Sequence, residues 1–205
     1  MAALMTSQVL LIRPGATLYD EQNRVQGVLD IPLSERGRAE AARLAERLSL
    51  SNGDHHAHLS ALYCGPGENV VQTAEIIGKA LGLRPKRVDE FRNLDQGLWQ
   101  GLQIEEIRRR NARLFRQWID DPLTIRPPRG ETIEEAMPRV RAALKPLLRR
   151  HQDEAFGLIA GEPVSRLIAC CLKRVPRLQL DELLPCCGFE RIEVSSDLLR
   201  SAGHS

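Results

Sequence analysis

Four short runs rich in strand-forming residues, at 9–12, 59–64, 155–160 and 189–194, are separated by long stretches of helical periodicity, with a weaker run near Arg87 and Val88. Strands alternating with helices pair side by side and in parallel, because the intervening helix must cross back over one face of the sheet. The expected fold is therefore α/β: a three-layer α/β/α sandwich around a mostly parallel sheet. In such folds the loops that leave the carboxyl ends of the strands form the binding cleft.

The helical stretches carry their own punctuation. "LSERGRAEAARLAERL" offers Ser34 as an N-cap and an apolar face of Ala39, Ala42, Leu44, Ala45 and Leu48. "ENVVQTAEIIGKALG" ends on Gly82, a residue suited to the left-handed turn that closes a helix. A third helix is expected over 103–120, with Ile104, Ile107, Leu114, Phe115 and Trp118 on its apolar side. A fourth runs from Thr132, which with Glu135 fits a capping box, to about Arg150; Pro138 and Pro146 predict a kink or break in it. The fifth follows "IAGEPVSRLIACCLKRV", with Pro163 in its first turn. No repeat or Gly/Ser-rich linker divides the 205 residues, so one domain over 1–205 is expected, with a mainly helical insertion at about 91–131.

Composition excludes several classes of function. The 29 basic and 27 acidic residues are interspersed and leave a net charge of only +2, with no basic stripe for nucleic acid. No apolar run approaches the roughly 20 residues of a membrane span, and "MAALMTSQ" lacks the pattern of a secretory signal. Four of the five cysteines sit in adjacent pairs, Cys170 with Cys171 and Cys186 with Cys187, which suits reduced thiols and a cytoplasmic protein.

Two local patterns invite chemistry and carry little of it. "DHHAH", Asp54 to His58, has no companion Cys or carboxylate motif and reads as a solvated connection, not a zinc site. Cys171 and Arg177 have Cys-x5-Arg spacing, but Cys171 falls late in an apolar helix, without the glycine-rich cradle a phosphate needs. Neither a metal nor a cofactor is expected.

The strand ends are more specific. "LIRPGATLYDEQNRVQGVLDIPLSERGRAEAARLAERL", "YCGPGENVVQTAEIIGKALGL", "NLDQGLWQGL", "PPRGETIEEA" and "LIAGEPVSRLIACCL" resemble, in order, the motifs of the histidine phosphatase superfamily, the phosphoglycerate mutase-like fold. That resemblance implies a mechanism in which a histidine after the first strand attacks phosphorus. Two arginines and a second histidine hold the phosphoryl oxygens, and a glutamate protonates the leaving group.

Carried onto this sequence, the resemblance leaves only Arg13 in its role. Pro14 stands at the nucleophile, Asn69 at the second arginine, Asn93 at the acid and Gly161 at the second histidine. Proline has no side-chain lone pair with which to attack. Loss of one member of a catalytic unit removes most of its rate, and loss of the others adds little. Asp20 replaces the family's loop asparagine and Glu162 adds a further carboxylate beside the expected phosphate position. A carboxylate about 4 Å from a phosphate oxygen repels it by roughly 1 to 4 kcal/mol at effective dielectrics of 80 to 20.

The expected function is therefore that of a pseudophosphatase, a binding, scaffolding or regulatory module for an unidentified small molecule or protein. Arg13, Asp20, Arg24, Gln26 and Glu162 are its candidate ligand contacts. Two further readings stay open. One is a hydrolase of non-family mechanism, or a weak phosphomonoesterase, in which Glu162, Asp20 or Cys64 does the work. The other is a displaced nucleophile, for which His151 is the nearest histidine. The resemblance also implies, by analogy with the fold, a homodimer.

Overall fold

The computed structural model describes residues 6–51, 58–120, 125–174 and 185–195, with the backbone alone at 51 and 118–120. Its centre is a five-stranded sheet in the order β3-β2-β4-β1-β5. The strands are β1 (Thr6–Ile12), β2 (Leu59–Cys64), β3 (Lys86–Arg87), β4 (Ala155–Ile159) and β5 (Phe189–Ser195). β1, β2, β3 and β4 run parallel, and β5 lies antiparallel to β1 at the edge. Each expected strand is present to within a few residues.

Strand periodicity divides the core into two layers. Val9 and Leu11 of β1, Ala61 and Tyr63 of β2, and Phe156 and Leu158 of β4 face one cluster. Leu10, Ile12, Leu62, Cys64 and Ile159 face the other. Successive residues of a strand point to opposite faces, so a sheet buried on both sides reads as a continuous apolar run. Helices α2 (Glu35–Ser51) and α3 (Glu68–Leu81) cover the second face. The first is covered by α6 (Ile133–Arg150) and α7 (Val164–Lys173). The sandwich has its three layers.

The caps explain most helix ends. Ser34 Oγ accepts from Gly37 N at 3.1 Å at the start of α2, and Gly82 closes α3 in the left-handed region at φ 68°. Thr132 and Glu135 form the capping box of α6. A short helix α1 (Leu18–Glu21), which the periodicity does not foreshadow, carries a second such box between Thr17 and Asp20.

One helical expectation fails, and of the kink or break expected in another the break is absent. The stretch over 103–120 is not one helix but two, α4 (Ile104–Arg110) and α5 (Ala112–Asp120), because Asn111 leaves helical geometry at φ −132° and ψ 47°. Conversely, α6 contains Pro138 and Pro146 and is nonetheless unbroken over 18 residues. Its apolar face, from Ile133 through Val140 and Leu144 to Leu148, is buried along its length. Tertiary packing of that face offsets the lost hydrogen bonds, since most helical stability in a folded domain comes from such packing. No described helix is long and apolar enough to cross a membrane.

Candidate functional site

The carboxyl ends of β1, β2 and β4 open onto a cavity of about 570 Å³. It is walled by the loops after β1 and β2, by 87–96, and by the α4–α5 region. Its size lies within the roughly 300–1,000 Å³ of small-molecule sites.

The loop after β1 is pinned by backbone. Arg13 N donates to Gly188 O at 2.9 Å, continuing the pairing with β5, and Pro14, which has no N–H to donate, still accepts from Cys187 N at 3.2 Å through its carbonyl. Gly15 N then donates to Thr73 Oγ1 at 3.1 Å on α3. A Cβ on Gly15 would run into the carbonyl of Gly37, and one on Gly37 into that of Ala16. The two glycines let α2 sit directly against this loop, which fixes where Arg13 and Pro14 enter the cavity.

All four positions assigned to lost catalytic roles, Pro14, Asn69, Asn93 and Gly161, line this one cavity. Those proposed as ligand contacts, Arg13, Asp20, Arg24, Gln26 and Glu162, line it as well. Asn69, at the first turn of α3, accepts from Gln26 Nε2 at 3.4 Å. Asn93 donates to Gly27 O at 3.1 Å, and Gln100 Oε1 accepts from Val28 N at 2.7 Å. The two asparagines thus hold the 26–28 loop as one wall of the cleft. Gly161 leaves room: a Cβ there would meet Asn93 Nδ2 at an ordinary 3.5 Å.

The charges form pairs. Arg13 Nη2 lies 3.3 Å from Asp20 Oδ1, and Asp20 Oδ2 accepts from Thr17 N at 2.8 Å and Thr17 Oγ1 at 2.7 Å. Glu162 pairs not with Arg13 but with Arg166, one helical turn on, at 3.1 Å. Arg166 is not among the residues expected at the site, although its i,i+4 spacing from Glu162 at a helix start is a readable signal. Arg24 donates to Gly101 O at 2.6 Å, while the more exposed Arg87 and Arg92 pair with Asp89 and Glu131. Gln96, 5% exposed, also lines the cavity, and among the described residues no group donates to its Oε1.

The remaining candidates lie elsewhere. No described histidine lines the cavity. His151 precedes β4 at the opposite edge of the sheet, buried between Tyr63 Oη at 2.9 Å and Glu154 Oε2 at 2.9 Å. It is a core polar group, not a displaced nucleophile. Of Asp54–His58 only His58 is described, and Arg177 lies outside the described residues. Cys64 is 2% exposed and belongs to the core beneath α3, not to the cavity wall.

Burial pushes the Cys64 thiol up to about 11. At pH 8 its thiolate fraction is then on the order of 0.1%. Iodoacetamide treatment of the native protein at pH 8, read by peptide mass spectrometry, should leave Cys64 unmodified, whereas the same treatment in denaturant should alkylate it. Rapid native labelling would restore Cys64 as a nucleophile.

A mostly parallel sheet between helical layers, with a cavity at its carboxyl edge, defines an α/β fold of the phosphoglycerate mutase-like kind. The profile of the histidine phosphatase superfamily (branch 1) matches residues 9–201, and the chain belongs to that superfamily. It is 28% identical over 165 residues to phosphoserine phosphatase 1 of Hydrogenobacter thermophilus, covering 80% of this chain and 75% of the relative. To the probable phosphoglycerate mutase GpmB of Salmonella paratyphi C it is 29% identical over 201 residues, covering 96% and 89%. Among solved structures, Bacillus stearothermophilus YhfR superposes with a TM-score of 0.78 at 25% identity over 90% of each chain.

Proposed function

We propose that this chain is a pseudophosphatase: a cytoplasmic, single-domain member of the superfamily that retains the cleft as a ligand-binding or regulatory site and has lost the phosphohistidine chemistry. The observation that carries this reading is Pro14, which lines the cavity at the end of β1 where the motif puts the nucleophile, in a cavity that no described imidazole lines. The other vacated roles support it. Asn69 and Asn93 are engaged in holding the 26–28 loop, and neither an amide nor Gly161 can replace an arginine, a proton donor or a histidine in the family's reaction. A cytoplasmic setting suits five cysteines, none of which forms a disulfide.

A hydrolase of another mechanism has less support. Cys64 lies outside the cavity, and the carboxylates of Asp20 and Glu162 are each held by an arginine. The enzyme names of the relatives set the test. Phosphate release from phosphoserine, 3-phosphoglycerate and p-nitrophenyl phosphate, with protein near stoichiometric concentration, should match the buffer blank. Turnover that disappears in Arg13→Ala would overturn the proposal, while release unaffected by that substitution would mark a contaminant.

A further inference from the structure

We propose that the cleft takes a small molecule with a dipolar head, an ammonium beside a carboxylate as in a free α-amino acid, attached to an apolar body. The inference rests on the reading that phosphoryl chemistry has been lost, and it names the ligand class of the same site.

The head group follows from the charges at the strand ends. The Arg13–Asp20 and Arg166–Glu162 pairs line the same cavity and sum to zero. In each pair the carboxylate already occupies a hydrogen-bonding edge of the guanidinium. The side chains of the second pair are only 8% and 16% exposed, and those of the first 18% and 31%. A phosphate dianion must either displace these carboxylates or sit beside them, and both are unfavourable where water is scarce. A dipolar head avoids that conflict: its carboxylate faces the arginines, its ammonium faces Asp20 and Glu162, and neither pair has to open.

Nor do the outer arginines restore an anion site. Arg87 lies 2.7 Å from Asp89, Arg92 lies 3.4 Å from Glu131, and Arg24, which donates to the neutral Gly101 carbonyl and to Gln22, shares the cavity lining with the carboxylate of Asp30.

The body of the ligand follows from the apolar part of the lining. Val25, Val28, Leu29, Ile104 and Phe115 line the cavity on the side of the 26–28 loop and the α4–α5 region. Val28 and Ile104 remain 42% and 37% exposed, so part of this apolar lining is left uncovered. A hydrocarbon or aromatic body would cover it.

Calorimetric titration with four compounds sharing a phenyl body tests the head group: L-phenylalanine, 2-phenylethylamine, 3-phenylpropanoate and phenyl phosphate. L-Phenylalanine should bind at least tenfold more tightly than phenyl phosphate, and glycine, which has the head without the body, at least tenfold more weakly than L-phenylalanine. Asp20→Asn with Glu162→Gln should invert the order between L-phenylalanine and phenyl phosphate. Ile104→Ser, at the partly exposed wall, should weaken L-phenylalanine at least fivefold and keeps the test decisive if the double variant folds poorly. The proposal is overturned if phenyl phosphate equals or exceeds L-phenylalanine on the wild type, if none of the compounds binds, or if Ile104→Ser changes nothing. Phosphate released from phenyl phosphate in the same samples reads the loss of catalysis separately. Its appearance counts against the pseudophosphatase reading, whatever the order of affinities.

Discussion

A chain carrying Pro14→His, Asn69→Arg, Asn93→Glu and Gly161→His together is expected to hydrolyse p-nitrophenyl phosphate at least about 10³-fold faster than the wild-type background, since loss of a cooperating catalytic unit removes on the order of 10⁴–10⁶ in rate and its joint return recovers part of that. The four positions line one cavity, so the new side chains meet without rebuilding the fold. Gly161 has room for a side chain, its nearest neighbour being the Asn93 amide that is itself replaced. Pro14→His alone should give nothing measurable, because the residues of such a unit act together. The exchange costs the Gln26–Asn69 and Asn93–Gly27 hydrogen bonds, so the melting temperature should fall modestly. Adding Asp20→Asn and Glu162→Gly should raise the rate further by freeing Arg13 and Arg166 for phosphate. An acid-labile phosphoenzyme, trapped by quenching in denaturant, would identify the restored nucleophile. A folded six-fold variant that neither hydrolyses the ester nor traps phosphate would refute the assignment of positions.

That experiment rests on sites the sequence places by local pattern, and local pattern has a definite reach here. β1, β2, β4 and β5 are legible because both faces of the sheet are buried and their apolar runs end abruptly. α2 and α3 are legible through Ser34 and Gly82, residues whose chemistry acts within a turn of the chain. The break at Asn111 is not, since Ile107, Leu114 and Phe115 continue an apolar stripe across it and all three serve the packing around Trp99. Nor is the continuity of α6, where Pro138 and Pro146 signal a break and the packing outweighs them. In the cleft, Arg13, Pro14 and Gly161 stand at strand ends and could be located by motif. Which carboxylate Arg13 holds depends on how the loop after β1 folds back, and the choice of Asp20 over Glu162 appears only in three dimensions. Gln96 escapes notice for a similar reason, because its burial depends on packing that no local pattern records.

The same limit hides the residue with the largest expected effect on stability. Arg139→Met is expected to destabilise the protein by about 3 kcal/mol, the lower end of the cost of breaking a buried ion pair, because Arg92, 3.4 Å from Glu131, remains as a weaker partner. Arg139, on α6, grips Glu131 with two parallel bonds, Nε to Oε1 at 3.1 Å and Nη2 to Oε2 at 3.0 Å, and both side chains are nearly buried at 12% and 13% exposure. The same guanidinium donates to the carbonyls of Glu90, of Arg92 at 2.8 Å and of Asn93 at 3.4 Å. One side chain therefore closes α6 against the segment that carries Asn93 into the cleft. Methionine keeps much of the stem's packing and removes every donor, so the loss reports on the polar contacts. For a domain of this size the melting temperature should drop by roughly 10 °C. Exchange of amide hydrogens at 90–94 should quicken beyond what global unfolding accounts for. Glu131→Gln in the Arg139→Met background should recover part of the stability, since it removes a largely buried charge that the first substitution leaves with only the exposed Arg92 as partner. If the double variant is no more stable than Arg139→Met alone, the carboxylate is not the source of the loss, and the three carbonyls left without a donor become the larger cost.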